Sequence, residues 1–128
     1  MKQKYVVIAA RLVLGLMFAV VGLYGLIYSP AAPAQMPALA RAFLGAAQQS
    51  HYAAFINVVQ AATGLLLVVN RYVPLALVTM AAVLANIIVF HLTMMPNGII
   101  FGLILTGCWI VVALSQRASL LPLLRANS

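Results

Sequence analysis

In 128 residues the chain has no aspartate, no glutamate, one cysteine, one tryptophan and only 5% charged side chains. Without carboxylates it cannot build a general acid/base pair, a carboxylate-held metal ion or the acidic proton relay of a coupled transporter. The single thiol, Cys108, lies in an apolar run and can form neither an internal disulfide nor a C-x-x-C pair. That excludes the dithiol chemistry of four-helix quinone-linked disulfide enzymes, and leaves Cys108 as a small hydrophobe. So few charges cannot clothe a water-exposed surface. A 66% hydrophobic composition and a mean hydropathy of +1.16 put the chain in lipid instead. The net charge of +7 comes from Lys2, Lys4, Arg11, Arg41, Arg71, Arg117 and Arg125, spaced singly along the chain. They form no basic face, so nucleic acid is not a partner.

Four apolar runs are present, at residues 5–28, 52–69, 73–95 and 98–114. About 20 helical residues cross a hydrocarbon core of roughly 30 Å, so each run reads as a transmembrane helix, the first long enough to tilt. Pro96-Asn97-Gly98 and Asn70-Arg71-Tyr72 are tight turns that reverse the chain. With the N-terminus in the cytoplasm, Lys2, Lys4, Arg71, Arg117 and Arg125 fall inside and only Arg41 outside, as the positive-inside rule asks. A cleaved signal peptide ending near Ala32-Pro33-Ala34 is the competing reading of the first run. It fits less well, because the run is too long and Arg11 interrupts it. In the one long connection, Met36, Leu39, Phe43 and Leu44 recur at helical spacing after Pro37, which predicts a short amphipathic helix over 37–48. The expected fold is therefore an all-α membrane protein. It is a single domain, 1–128, folded as a four-transmembrane-helix antiparallel bundle with an interfacial helix in the first outer loop and both termini cytoplasmic.

Lipid offers helices no hydrophobic reason to associate, so small residues and polar contacts must hold the bundle. Gly15 with Ala19, Ala81 with Ala85, and Gly98 with Gly102 supply small-x-x-x-small pairs. Among intramembrane polar residues, Asn57, Gln60 and Gly64 share one face of the second run. Thr79, Asn86 and Thr93 form a seven-residue polar seam on the third that can face the interior. Gln60 and Asn86 both lie roughly 12–14 Å from the outer boundary, so they can meet at one level. As structural elements these amides would bond each other and set helix register. As functional ones they would line a pocket in which a carbonyl-bearing ligand such as a quinone accepts their N–H bonds. His91, near the outer end of the third run with His51 as its neighbour across the bundle, is an interfacial hydrogen-bonder or a further contact to that ligand. No metal centre is expected. Arg11 lies about 9 Å inside the first helix. It either snorkels to phosphates, as Arg41 would on the outer face, or meets a carboxylate supplied by another protein.

The order and spacing of these residues resemble the DoxX and DoxX-like family of small four-helix bacterial membrane proteins. The likeness covers most of the chain. It is carried by Arg11-Leu-Val-Leu-Gly15 with Gly22, by Ala42-Phe43-Leu44-Gly45, by Gly64-Leu65-Leu66-Leu67 before Asn70-Arg71-Tyr72, by Pro74-Leu75-Ala76-Leu77 and, most specifically, by the stretch from Ala85-Asn86 through Phe90-His91-Leu92. The resemblance implies a four-helix bundle in the bacterial cytoplasmic membrane, and some relatives are associated with quinone-linked oxidoreductases or redox-stress complexes. Where relatives often carry a glutamate before the glycine of the second helix, this chain has Gln60, which keeps shape and hydrogen bonding but not the ionisable proton.

Two functions follow. The first is an accessory or assembly subunit of a larger, redox-linked membrane complex, without catalytic residues of its own, meeting other subunits and anionic lipid headgroups through Arg11 and Arg41. The second is a homo-oligomeric quinone- or lipid-binding bundle using Asn57, Gln60, Asn86 and His91. The first explains the missing acids and the unpartnered Arg11. Small-molecule transport ranks last, for want of a carboxylate to couple it to protons.

Overall fold

The computed structural model describes residues 1–126, and all regular structure among them is helical. The elements are α1 (Lys2–Tyr28), α2 (Ala38–Gln49), α3 (Tyr52–Val68), α4 (Val73–Met94), α5 (Ile99–Ser115) and α6 (Arg117–Leu120), with 3-10 turns at Pro96–Gly98 and Leu121–Leu124. Three stretches are long and apolar enough to cross a membrane: Lys2–Tyr28, Val73–Met94 and Pro96–Ser115. A fourth exists if α2 and α3, bent by 86° at their junction, make one broken span. The chain is thus a multipass membrane protein by length and composition.

α1, α3, α4 and α5 close a ring in which each helix packs on two neighbours. The tightest pair is α1 with α3, and glycine makes it so. A Cβ on Gly22 would lie 2.5 Å from Ala61 N and 2.6 Å from Asn57 O, and one on Gly64 would run into the backbone of Ala19. Contacts climb α1 through Gly15, Gly22 and Gly25 while descending α3 through Leu67, Ala61 and Asn57. The expected Gly15/Ala19 pair is part of this seam, and Gly102 packs against Ile87 and Ile88.

The solid core lies towards one end of the ring, where Leu14, Phe18, Leu67, Val73, Ala76, Leu77, Met80, Val83, Leu84 and Val112 interlock. Trp109 braces it by donating its indole N–H to Leu77 O across α5 and α4 at 2.9 Å. A buried tryptophan needs such an acceptor. The other end carries two cavities under α2, of about 440 and 460 Å³.

The interior seam expected of Thr79, Asn86 and Thr93 is not there. α4 turns Val73, Ala76, Leu77, Met80, Val83 and Leu84 inward, while Asn86 and Thr93 are exposed and Thr79 is half-buried. Each donates to the carbonyl four residues back: Thr79 to Leu75, Asn86 to Ala82 and Thr93 to Val89, at 3.1, 2.9 and 2.8 Å. A donor satisfied by its own helix needs no partner helix, so close apolar packing decides which face turns in. The Ala81/Ala85 pair also misses the packed interior, with Ala85 exposed.

Candidate functional site: a groove under the short helix

α2 and α3 meet at Ser50-His51. His51 adopts the left-handed conformation (φ 61°), a region that histidine enters more readily than branched residues do. The resulting corner lays α2 over α3 and α4, burying Ala40 completely and bringing the Phe43 ring to 5.8 Å from Phe90. Beneath this roof runs a groove of about 460 Å³, bordered by Phe43, Tyr52, Phe55 and Phe90 and by the polar residues Gln60, Asn86 and His91. An apolar, aromatic cleft of several hundred Å³ with a few polar groups is the usual form of a small-molecule site.

Three of the four expected ligand-binding residues share this groove; Asn57 does not. Its side chain packs against Gly25 on the α1 face and borders a separate cavity of about 440 Å³, together with Gln48 and His51. Three residues advance a helix by about 300°, so Gln60 is turned about 60° from Asn57. That is enough to carry it off the α1 glycine seam, to which Asn57 and Gly64 remain committed, while it still faces Met17, Phe18 and Val21 of α1. His51 and His91 border different cavities.

Gln60 is the pivotal group. It also borders a small void of about 50 Å³ walled by Met17, Phe18, Val21, Ile87 and Leu105. Its Oε1 is buried and has no hydrogen-bond partner, so the expected bond to Asn86 is not made. A water in this void would find Gln60 as its one polar side chain, whereas stable buried waters bond two to four groups.

The remaining polar groups are fixed by what they already bond. Asn86 Nδ2 donates one N–H to Ala82 O, which leaves its second N–H and the acceptor Oδ1 free. His91 Nδ1 is 3.0 Å from Met95 O, with its ring edge-on to Phe90. A carbonyl can only accept, so Nδ1 carries the proton, and in that tautomer Nε2 is an acceptor. The groove therefore offers acceptors at Gln60 Oε1, Asn86 Oδ1 and His91 Nε2, beside the amide N–H groups that Gln60 and Asn86 keep free.

Arg11 finds its partner within the chain: its Nη1 donates to Leu67 O at 2.6 Å. That carbonyl lies in the last turn of α3, at the negative end of the helix dipole. A backbone acceptor is invisible to a search for acids, so a bond spanning 56 residues left no trace in the composition. Arg41 is exposed on α2, away from the groove lining. Reasoning from residue types also missed Trp109, whose being the only tryptophan in an apolar run was the available signal. No protein-family model, characterised protein or solved structure matches this chain.

Proposed function

We propose that this protein is a bacterial cytoplasmic-membrane bundle of four antiparallel spans with both termini inside, and that its groove binds an apolar molecule bearing hydroxyl groups, a quinol being the best fit. The carrying observation is the orphaned Gln60 Oε1 beside the free acceptors of Asn86 and His91. A quinol donates two O–H bonds and presents a flat ring to the flanking phenylalanines, and its isoprenoid tail suits an apolar cleft open to lipid. The DoxX-like order of Asn86 and His91 supports the same reading, as does the gathering of five cations in the segments assigned to the inner face. No catalytic role is assigned to any residue.

The test is equilibrium binding of a short-chain ubiquinol and the matching ubiquinone to purified protein, kept anaerobic. The quinol binds more tightly, and Gln60→Met weakens it about tenfold, the worth of one buried hydrogen bond. Equal affinity of wild type and variant for the quinol sinks the proposal.

The second reading, an accessory subunit of a larger redox-linked complex, is supported by α5. Only 11% of the Pro96–Ser115 span is buried, and nothing stands within 4 Å of a Cβ built on Gly107. That notch on an open face suits a partner helix or a second copy of the chain. The unpartnered Arg11 no longer argues for this reading.

A further inference from the structure

At the opposite end from the groove, α1, α5 and the α3–α4 turn border an open cavity of about 610 Å³ whose lining includes Gln3, Lys4, Arg11, Asn70, Ser115 and Gln116. We infer that this cavity is a phosphate-binding site, built to take the headgroup of an anionic phospholipid or a free phosphate. Charge is the first argument. Two of the seven cations line this cavity in a chain with no side-chain carboxylate, so an anionic ligand would meet no competing acid side chain there. Geometry is the second. Arg11 is only partly exposed, and its bond to Leu67 O fixes the guanidinium while consuming one of its five N–H donors. Leu67 O also accepts from Asn70 N at 3.2 Å, so the same carbonyl anchors both the arginine and the turn that supplies the amide of Asn70. A planar guanidinium held in place, with a lysine and neutral amides around it, matches the oxygens of a phosphate. The inference is independent of the quinol reading, because none of these residues borders the groove.

Non-specific attraction to a charged membrane surface would draw on every cation at this end alike, whereas a built site would not. The experiment is native mass spectrometry of the detergent-purified protein with phosphatidylglycerol or phosphatidylcholine, each with and without millimolar inorganic phosphate. One phosphatidylglycerol per chain is retained in preference to phosphatidylcholine. Lys4→Gln weakens that retention about fivefold, the effect of one cation near an anionic headgroup. Arg71→Gln and Arg117→Gln remove equal charge from neighbouring positions outside the cavity lining and leave retention unchanged. Gln116→Ala, a side-chain change at an end of α5, weakens it without loss of fold, and Arg11→Lys does so more. Displacement by inorganic phosphate, with phosphate itself bound, assigns the site to a soluble anion; persistence of the lipid assigns it to a headgroup. Equal retention of both lipids with no phosphate bound overturns the inference, as do equal losses in Lys4→Gln, Arg71→Gln and Arg117→Gln.

Discussion

Replacing Gln60 by methionine should make the ligand-free protein more stable, an unusual sign for a substitution inside a bundle. The two side chains have similar length, and the walls around the Gln60 void (Met17, Phe18, Val21, Ile87 and Leu105) accept a thioether without a new polar demand. In water-soluble proteins a buried, unsatisfied acceptor costs about 1–3 kcal/mol. Here the separated helix would also hold that amide in hydrocarbon, and it would find some partner there, so the gain on removal falls to about 0.5–2 kcal/mol. The unfolding equilibrium constant then drops roughly 2- to 30-fold. Steric trapping of delipidated protein in bicelles reads that change directly. A quinol at a hundred times its wild-type dissociation constant should narrow or reverse the gap, adding about 2.7 kcal/mol to wild type and about 1.4 kcal/mol to a variant that binds it tenfold more weakly. If ligand-free Gln60→Met is instead less stable than wild type by 1 kcal/mol or more, the amide has a partner inside the chain and the argument from its orphaned oxygen is refuted.

Gly22→Ile should separate α1 from α3, because its Cβ alone would stand 2.5 Å from Ala61 N and the branched side chain beyond it has nowhere to go. Loss of a cooperative thermal transition in detergent checks this, with Gly107→Ile, on an open face, leaving the transition unchanged. Single cysteines at Arg41 and at Arg117, in a Cys108→Ala background, should label from opposite sides of intact cells and inverted vesicles; labelling from one side rejects the proposed topology.

The helices were legible because their ends are written in residues with one physical meaning. Pro96-Asn97-Gly98 and the Asn70-Arg71-Tyr72 turn break the chain, with Asn70 and Tyr72 taking positive φ, and the periodicity after Pro37 becomes α2 at Ala38–Gln49. The α1–α3 seam was half legible. Gly15 and Ala19 pointed to it, but the choice of Gly64 as their partner depends on which backbones can touch. The orientation of α4 was not legible, since a threonine or asparagine bonded to its own helix looks, in sequence, like one reaching for a neighbour. Depth and spacing put Gln60 and Asn86 at one level, and both border the groove; His91, expected to turn well away from Asn86 around the helix, borders it too. Which of the groove's polar atoms stay unbonded was not legible, because the fold decides that Ala82 and Met95 each take one N–H and that Gln60 Oε1 is given none. Arg11 was found by its cost in lipid and its partner missed, since every residue carries a carbonyl and only the fold selects Leu67.

The bond from Arg11 to Leu67 also sets an order of assembly. α1 emerges from the ribosome before α3, and the carbonyl that satisfies its arginine lies 56 residues later. At about 5–20 residues per second, that interval lasts roughly 3–11 s. Throughout it α1 is a lone helix with a guanidinium inside the bilayer edge and its glycine seam facing lipid. Biogenesis of this protein therefore includes a waiting state, in which the insertion machinery or headgroups must shelter Arg11 until α3 arrives to latch the first helix in place.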